Sequence, residues 1–165
     1  MALFVGAALT GAYAETIPNF EVLTLACFLA GLLLGARDGA MIGGSCMLLY
    51  SLLNPYGPAH PLVTASQVTG QVLSGIAGGM TRRAGLERRP RWIQATVMGA
   101  CGVSLTLFYD LLTNLATGVI YGQLRFWLLA GIPFALWHIL SNLALFAAVG
   151  TPLLGVLARY SARLS

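Results

Sequence analysis

Lysine is absent from this chain, and aspartate and glutamate together number only five in 165 residues. Without lysine there is no phosphate-binding GxxxxGK[ST] loop, so any ATP-driven work needs an ATPase on another chain. Charged residues of all kinds make up 8%, against about 25% in an average soluble domain. Only two histidines occur, His60 and His138, and three cysteines, Cys27, Cys46 and Cys101. The cysteine spacing fits neither a zinc motif nor a CxxC redox pair. Each lies in an apolar run, which favours buried small hydrophobes over thiolate ligands for a metal-bearing substrate. There is no GxSxG elbow and no HExxH pair, and carboxylates and histidines are too few for metal transport by this chain alone. No catalytic residue, resident metal or cofactor is expected. Nucleic acid is not an expected partner either. The net charge of +4 comes from arginines with no interleaved aromatic reading surface.

What is present is apolar. Hydrophobic residues reach 58% and mean hydropathy is +0.81. The length allows a single domain of roughly six spans of about 20 residues with short loops. The apolar segments cover residues 2–14, 22–34, 39–53, 62–80, 92–119 and 126–157. Turn formers and charges separate them, and Pro133 and Pro152 fall inside the last. The expected fold is an all-α integral membrane protein: six transmembrane helices in a compact bundle. The first segment is short for a span, and Ala12-Tyr13-Ala14 imitates a signal-peptidase site without a basic stretch before it. It is expected as a short helix, or as the end of a span that begins upstream of this sequence.

Arginine placement orients the bundle. Across six spans, Arg37, Arg82, Arg83, Arg88, Arg89, Arg91, Arg159 and Arg163 fall on one side, and Arg125 alone on the other. This asymmetry predicts both termini in the cytoplasm, with residues 15–21, 54–61 and 118–125 facing outward. The location implied is a bacterial or archaeal plasma membrane, crossed several times, with the lipid bilayer as the surrounding partner.

Three polar stripes interrupt the apolar runs. Tyr109, Asp110, Thr113 and Asn114 hold i, i+3, i+4 spacing, and so do His138, Ser141 and Asn142, so each set shares one helix face. Thr64, Gln67, Gln71 and Ser74 form the third. A carboxylate deep in an apolar helix is costly and usually faces a partner, a cavity or a substrate. By helix rise, Asp110 lies about 27 Å above Trp92, His138 about 10 Å below Gly131, and Gln67 about 8 Å below Leu62. All three stripes thus reach the outer half of the bundle. The expected ligand-binding set is Gln67, Gln71, Tyr109, Asp110, Thr113, Asn114, Trp137, His138 and Asn142, with Asn19, Glu21 and Tyr56 from the outer loops. Bland roles compete: Asp110 pairing with His138 or Arg125, glutamines joining helices, and tryptophans in an interfacial belt. Small-xxx-small pairs are frequent. Most read as internal packing, but Ala8 and Ala12, on a terminal helix, present a face for a partner helix.

Several stretches together resemble the substrate-binding S components of energy-coupling factor (ECF) vitamin transporters. They are Pro18–Thr24, Ala30–Arg37, Gly57-Pro58 followed by Gln67, Gly70 and Gly75–Gly78, and Tyr109-Asp110-xx-Thr113-Asn114. The resemblance spans nearly the whole chain through the order and spacing of these stretches. It implies a six-helix subunit that captures a vitamin or precursor from outside and joins a membrane T component and two cytoplasmic ATPases, which use ATP. It implies a pocket built from the outer loops and the last three helices, and Ala8/Ala12 as the alanine face docking the T component. Ligands of cobalamin, pyrimidine-precursor and queuosine-precursor type all remain open. So do a non-transporting scaffold similar to rod-shape proteins and a stand-alone small-molecule facilitator.

Overall fold

A computed structural model describes residues 2, 5, 6, 9, 10, 22–54 and 57–156, and among the described residues all regular structure is helical. Six helices follow in order: α1 (Leu23–Leu34), α2 (Ala36–Leu52), α3 (Pro61–Arg83), α4 (Arg91–Tyr121), α5 (Leu124–Ala130) and α6 (Ile132–Val156). A single 3-10 turn, Leu86–Arg88, lies between α3 and α4. In the first segment Ala2, Val5, Gly6, Leu9 and Thr10 are helical, and Val5 packs against buried core. Among the described residues two helices, α4 and α6, are long and apolar enough to cross a membrane.

The six helices do not match the six predicted segments one for one. The sixth segment is divided at Gly131 into α5 and α6, with Pro133 in the first turn of α6, where its missing N–H costs nothing. The predicted four-residue break at residues 35–38 shrinks to Gly35 alone, at φ 101°. Ala36-Arg37-Asp38 instead opens α2, and Asp38 in the first turn suits the positive end of the helix dipole. With 12 residues, α1 is only about 18 Å long. The start of α3 is set locally: Pro61 occupies its first turn and His60 caps it, the Leu62 N–H donating to His60 Nδ1 at 3.2 Å.

Helices α1, α2 and α3 meet backbone to backbone. A Cβ at Gly31 would run into the Gly75 backbone, one at Gly39 into Gly31 and Gly75, and one at Gly75 into Gly39 and Ala40. Only glycine permits this approach. Two apolar clusters pack on different faces of α1. One joins Leu23, Cys27, Ala30, Ile42, Cys46 and Met47. The other joins Leu25, Phe28, Leu32, Leu86, Met98, Phe146 and Leu154, with Phe28 and Phe146 edge to face at 5.3 Å. Cys27 and Cys46 are therefore core residues, and Cys101 is half-buried.

In α6 the turn Leu145–Gly150 is π-helical. Pro152 follows it, and a proline ring crowds the carbonyl four residues back. A widened turn directly before the proline relieves that crowding.

The polarity of the molecule runs from inside to outside. Gln71, Ser74, Gln94, Thr106, Ser141 and Asn142 are buried, while Leu53, Trp92, Val119 and Leu129 are each more than 60% exposed. Large apolar side chains are exposed on each of the six helices.

Candidate functional site

A cleft of about 410 Å³ opens between α3, α4 and the α5–α6 junction. Its polar wall is Gln67 from α3, Asp110, Thr113 and Asn114 from α4, and His138 from α6. Its apolar wall is Tyr109, Trp127 and Phe134, with Ala130, Gly131 and Ala135. The i, i+3, i+4 spacing on α4 turns Asp110, Thr113 and Asn114 to one side, and Phe134, Ala135 and His138 do the same on α6.

At the centre is a pair. His138 Nδ1 stands 2.9 Å from Asp110 Oδ1, and the two side chains are only 6% and 15% exposed. With Nδ1 protonated, the ring donates to the carboxylate and is held in one orientation. Asp110 Oδ2 is buried and has no hydrogen-bond partner among the described residues. A buried carboxylate oxygen in that state calls for a donor. The Tyr109 ring meets the His138 ring edge to face at 6.1 Å, and its hydroxyl donates to Met47 Sδ at 3.9 Å.

The remaining polar groups are positioned by neighbours. Ser51 Oγ donates to Gln67 Oε1 at 3.0 Å, which fixes the amide with its NH2 as the donor end. Thr113 Oγ1 donates to the Tyr109 and Asp110 carbonyls at 3.0 and 3.2 Å, so its hydroxyl offers the cleft an acceptor. The Asn114 amide lies against Gly131, where a Cβ would come within 2.9 Å of its Cγ. Gly70 makes room for Tyr109 in the same way, since a Cβ there would lie 2.6 Å from Tyr109 Cδ2.

Not every predicted site residue reaches the cleft. Gln71 is buried one turn below Gln67, and its Nε2 donates to Thr24 Oγ1 at 3.0 Å, joining α3 to α1. Asn142 is fully buried behind the pair, its Nδ2 donating to the His138 carbonyl at 3.4 Å. Trp137 is 49% exposed and does not line the cleft. The indole that does is Trp127, tilted 30° against the Tyr121 ring at 5.3 Å and edge-on to Phe126 at 5.6 Å. Trp127 and Phe134 were not among the predicted site residues. Phe134 carried a signal, being four residues before His138 on the same face. Asn19, Glu21, Tyr56, Ala8 and Ala12 lie outside the described residues.

No protein-family model, curated protein or solved structure matches this chain. The chemistry of the cleft follows from its own groups. The Asp110 carboxylate, amides from Gln67 and Asn114, and three aromatic rings suit a flat ligand that donates hydrogen bonds or carries positive charge.

Proposed function

We propose that this chain is the substrate-binding membrane subunit of an ECF-type importer, capturing a vitamin or related precursor from outside. The observation that carries this role is the Asp110–His138 pair on the wall of a cleft that draws polar groups from three separate helices. A purely structural ion pair would have no use for the cleft, the oriented Gln67 amide or the ring surfaces beside it. The cleft is near the lower end of small-molecule pockets, roughly 300–1,000 Å³. That size favours a one- or two-ring nitrogen heterocycle, of pyrimidine or queuosine-precursor type, over a corrinoid.

The apolar surface and buried polar residues support a multi-pass location in the plasma membrane, with both termini cytoplasmic by the arginine asymmetry. Six spans are retained in this proposal, with the first segment as one and α5–α6 together as the last. The energising partners are a membrane T component and two cytoplasmic ATPases, and ATP is used there and not by this chain.

Purification of the full chain in mild detergent, followed by mass spectrometry of extracted small molecules, tests the role. A nitrogen heterocycle retained near one per chain is expected. A protein that keeps no small molecule, and whose melting is unmoved by a panel of heterocyclic vitamins and precursors, would overturn it.

A further inference from the structure

The turn joining α3 to α4 is built around arginines. Arg82, Arg83, Arg88 and Arg89 line a second cleft of about 410 Å³, with Glu87 as its single carboxylate. Four guanidinium groups against one carboxylate leave a surplus of three positive charges. Arg88 Nε reaches Glu87 Oε1 only at 3.6 Å, and Arg88 is 87% exposed. Such a pair holds little energy and leaves its guanidinium available.

The backbone beneath these side chains is fixed. Leu86 is buried in the second apolar cluster and anchors the 3-10 turn. The buried Gln94 side chain donates from Nε2 to the Glu87 carbonyl at 3.0 Å and the Arg89 carbonyl at 2.9 Å. Gly85, at φ 67°, takes the left-handed conformation that turns the chain after α3. Arg82 Nη1 donates to the Leu33 carbonyl at the end of α1, at 2.7 Å. A loop used only to carry positive charge needs none of this, whereas a preformed cradle loses less on binding.

Depth is marked by the flanks. Trp92 is 71% exposed and Met80 60% exposed, immediately beyond the arginines on each side. An exposed indole next to arginines is the pattern of a membrane–water interface. Guanidinium groups pair bidentately with phosphate oxygens, and basic clusters at helix ends draw anionic lipids. We propose that this cradle binds the phosphate group of an anionic lipid headgroup. The site rests on the membrane placement above but not on the ligand cleft, which is about 28 Å away along α4, nineteen residues from Arg91 to Asp110.

The test uses the full chain in detergent micelles doped equally with phosphatidylglycerol and phosphatidylcholine, read by native mass spectrometry. Selective retention of phosphatidylglycerol is expected. The double variant Arg88→Gln/Arg89→Gln should weaken it by about 25-fold, roughly fivefold per arginine, with phosphatidylcholine unaffected. Glu87→Gln should strengthen it. Equal retention of the two lipids, or a preference that survives the double variant, overturns the proposal. So does calorimetry in which inorganic phosphate binds the delipidated protein as tightly as phosphatidylglycerol does, since the site would then take free phosphate. Loss of a co-purifying acidic protein with the lipid preference intact would make the turn a protein-docking surface and also overturn it. Alkaline carbonate extraction tests the placement separately. A chain washed from membranes defeats the placement, and an embedded chain without lipid selectivity defeats the cradle alone.

Discussion

Replacing Asp110 by Asn keeps the shape of the side chain and removes its charge. Asn Oδ1 can still accept from His138 Nδ1, so the 2.9 Å contact survives as a neutral hydrogen bond. The expected loss of stability is the difference between a charged and a neutral bond, about 1 kcal/mol, or a few degrees of melting temperature. The ligand fares worse. The cleft wall loses its one carboxylate charge, which a donor or cation on the ligand would meet. A hydrogen bond to a charged group contributes roughly 1.5–3 kcal/mol, so affinity should fall about 10- to 150-fold. His138→Ala should weaken binding as well, by releasing the carboxylate from its fixed position. Calorimetric titration with the co-purified ligand gives both affinities, and melting curves in the same detergent give the stability change. Unchanged affinity in both variants would refute the cleft as the binding site. An unfolded Asp110→Asn protein would show that the pair is structural.

Gly70→Ala should push the Tyr109 ring out of place and weaken ligand binding several-fold, with the helical circular dichroism retained. Gly75→Leu should abolish the contact among α1, α2 and α3 and prevent isolation of folded protein, whereas Gly6→Ala, with open space around it, should melt like the parent. A cysteine introduced in place of Arg88 should react with a membrane-impermeant maleimide only in inverted vesicles, and labelling from outside would reverse the orientation. The double change Ala8→Trp/Ala12→Trp should block assembly with the T component in a pull-down while ligand affinity stays within about twofold. Normal uptake by that variant would remove this face as the docking surface.

The polar faces of α4 and α6 were legible because three- and four-residue spacing is a property of the helix itself. Asp110, Thr113, Asn114 and His138 do line one cleft. Spacing along one helix says nothing about which neighbour covers each turn. That is why Gln71 and Asn142 share a stripe with cleft residues yet lie behind or below it, held by Thr24 and the His138 carbonyl. Trp137 and Trp127 could not be told apart for a related reason. The break at Gly131, with Trp127 before it and Phe134 after it on the cleft wall, arises inside a continuous apolar run. Helix ends were displaced where charged residues continue a helix, as at residues 36–38 and 81–83. Hydropathy marks how far a segment is greasy, while the helix ends where its hydrogen bonds end.

The wide turn in α6 has a consequence for angular phase. His138, Asn142, Phe146, Gly150 and Leu154 follow one another at intervals of four, and all five are buried. At about 100° per residue, sixteen residues of regular α-helix would wind the last of these about 160° away from the first. The extra residue accommodated in Leu145–Gly150 takes back about 100° of that drift. One side of α6 can therefore face the ligand cleft at His138 and still meet Met98 and Leu25 at Gly150. Were this turn to close into a uniform helix with every residue kept, Leu154 would swing about 100° out of the core, whereas deleting one residue from it would straighten the helix and leave Leu154 in phase with His138.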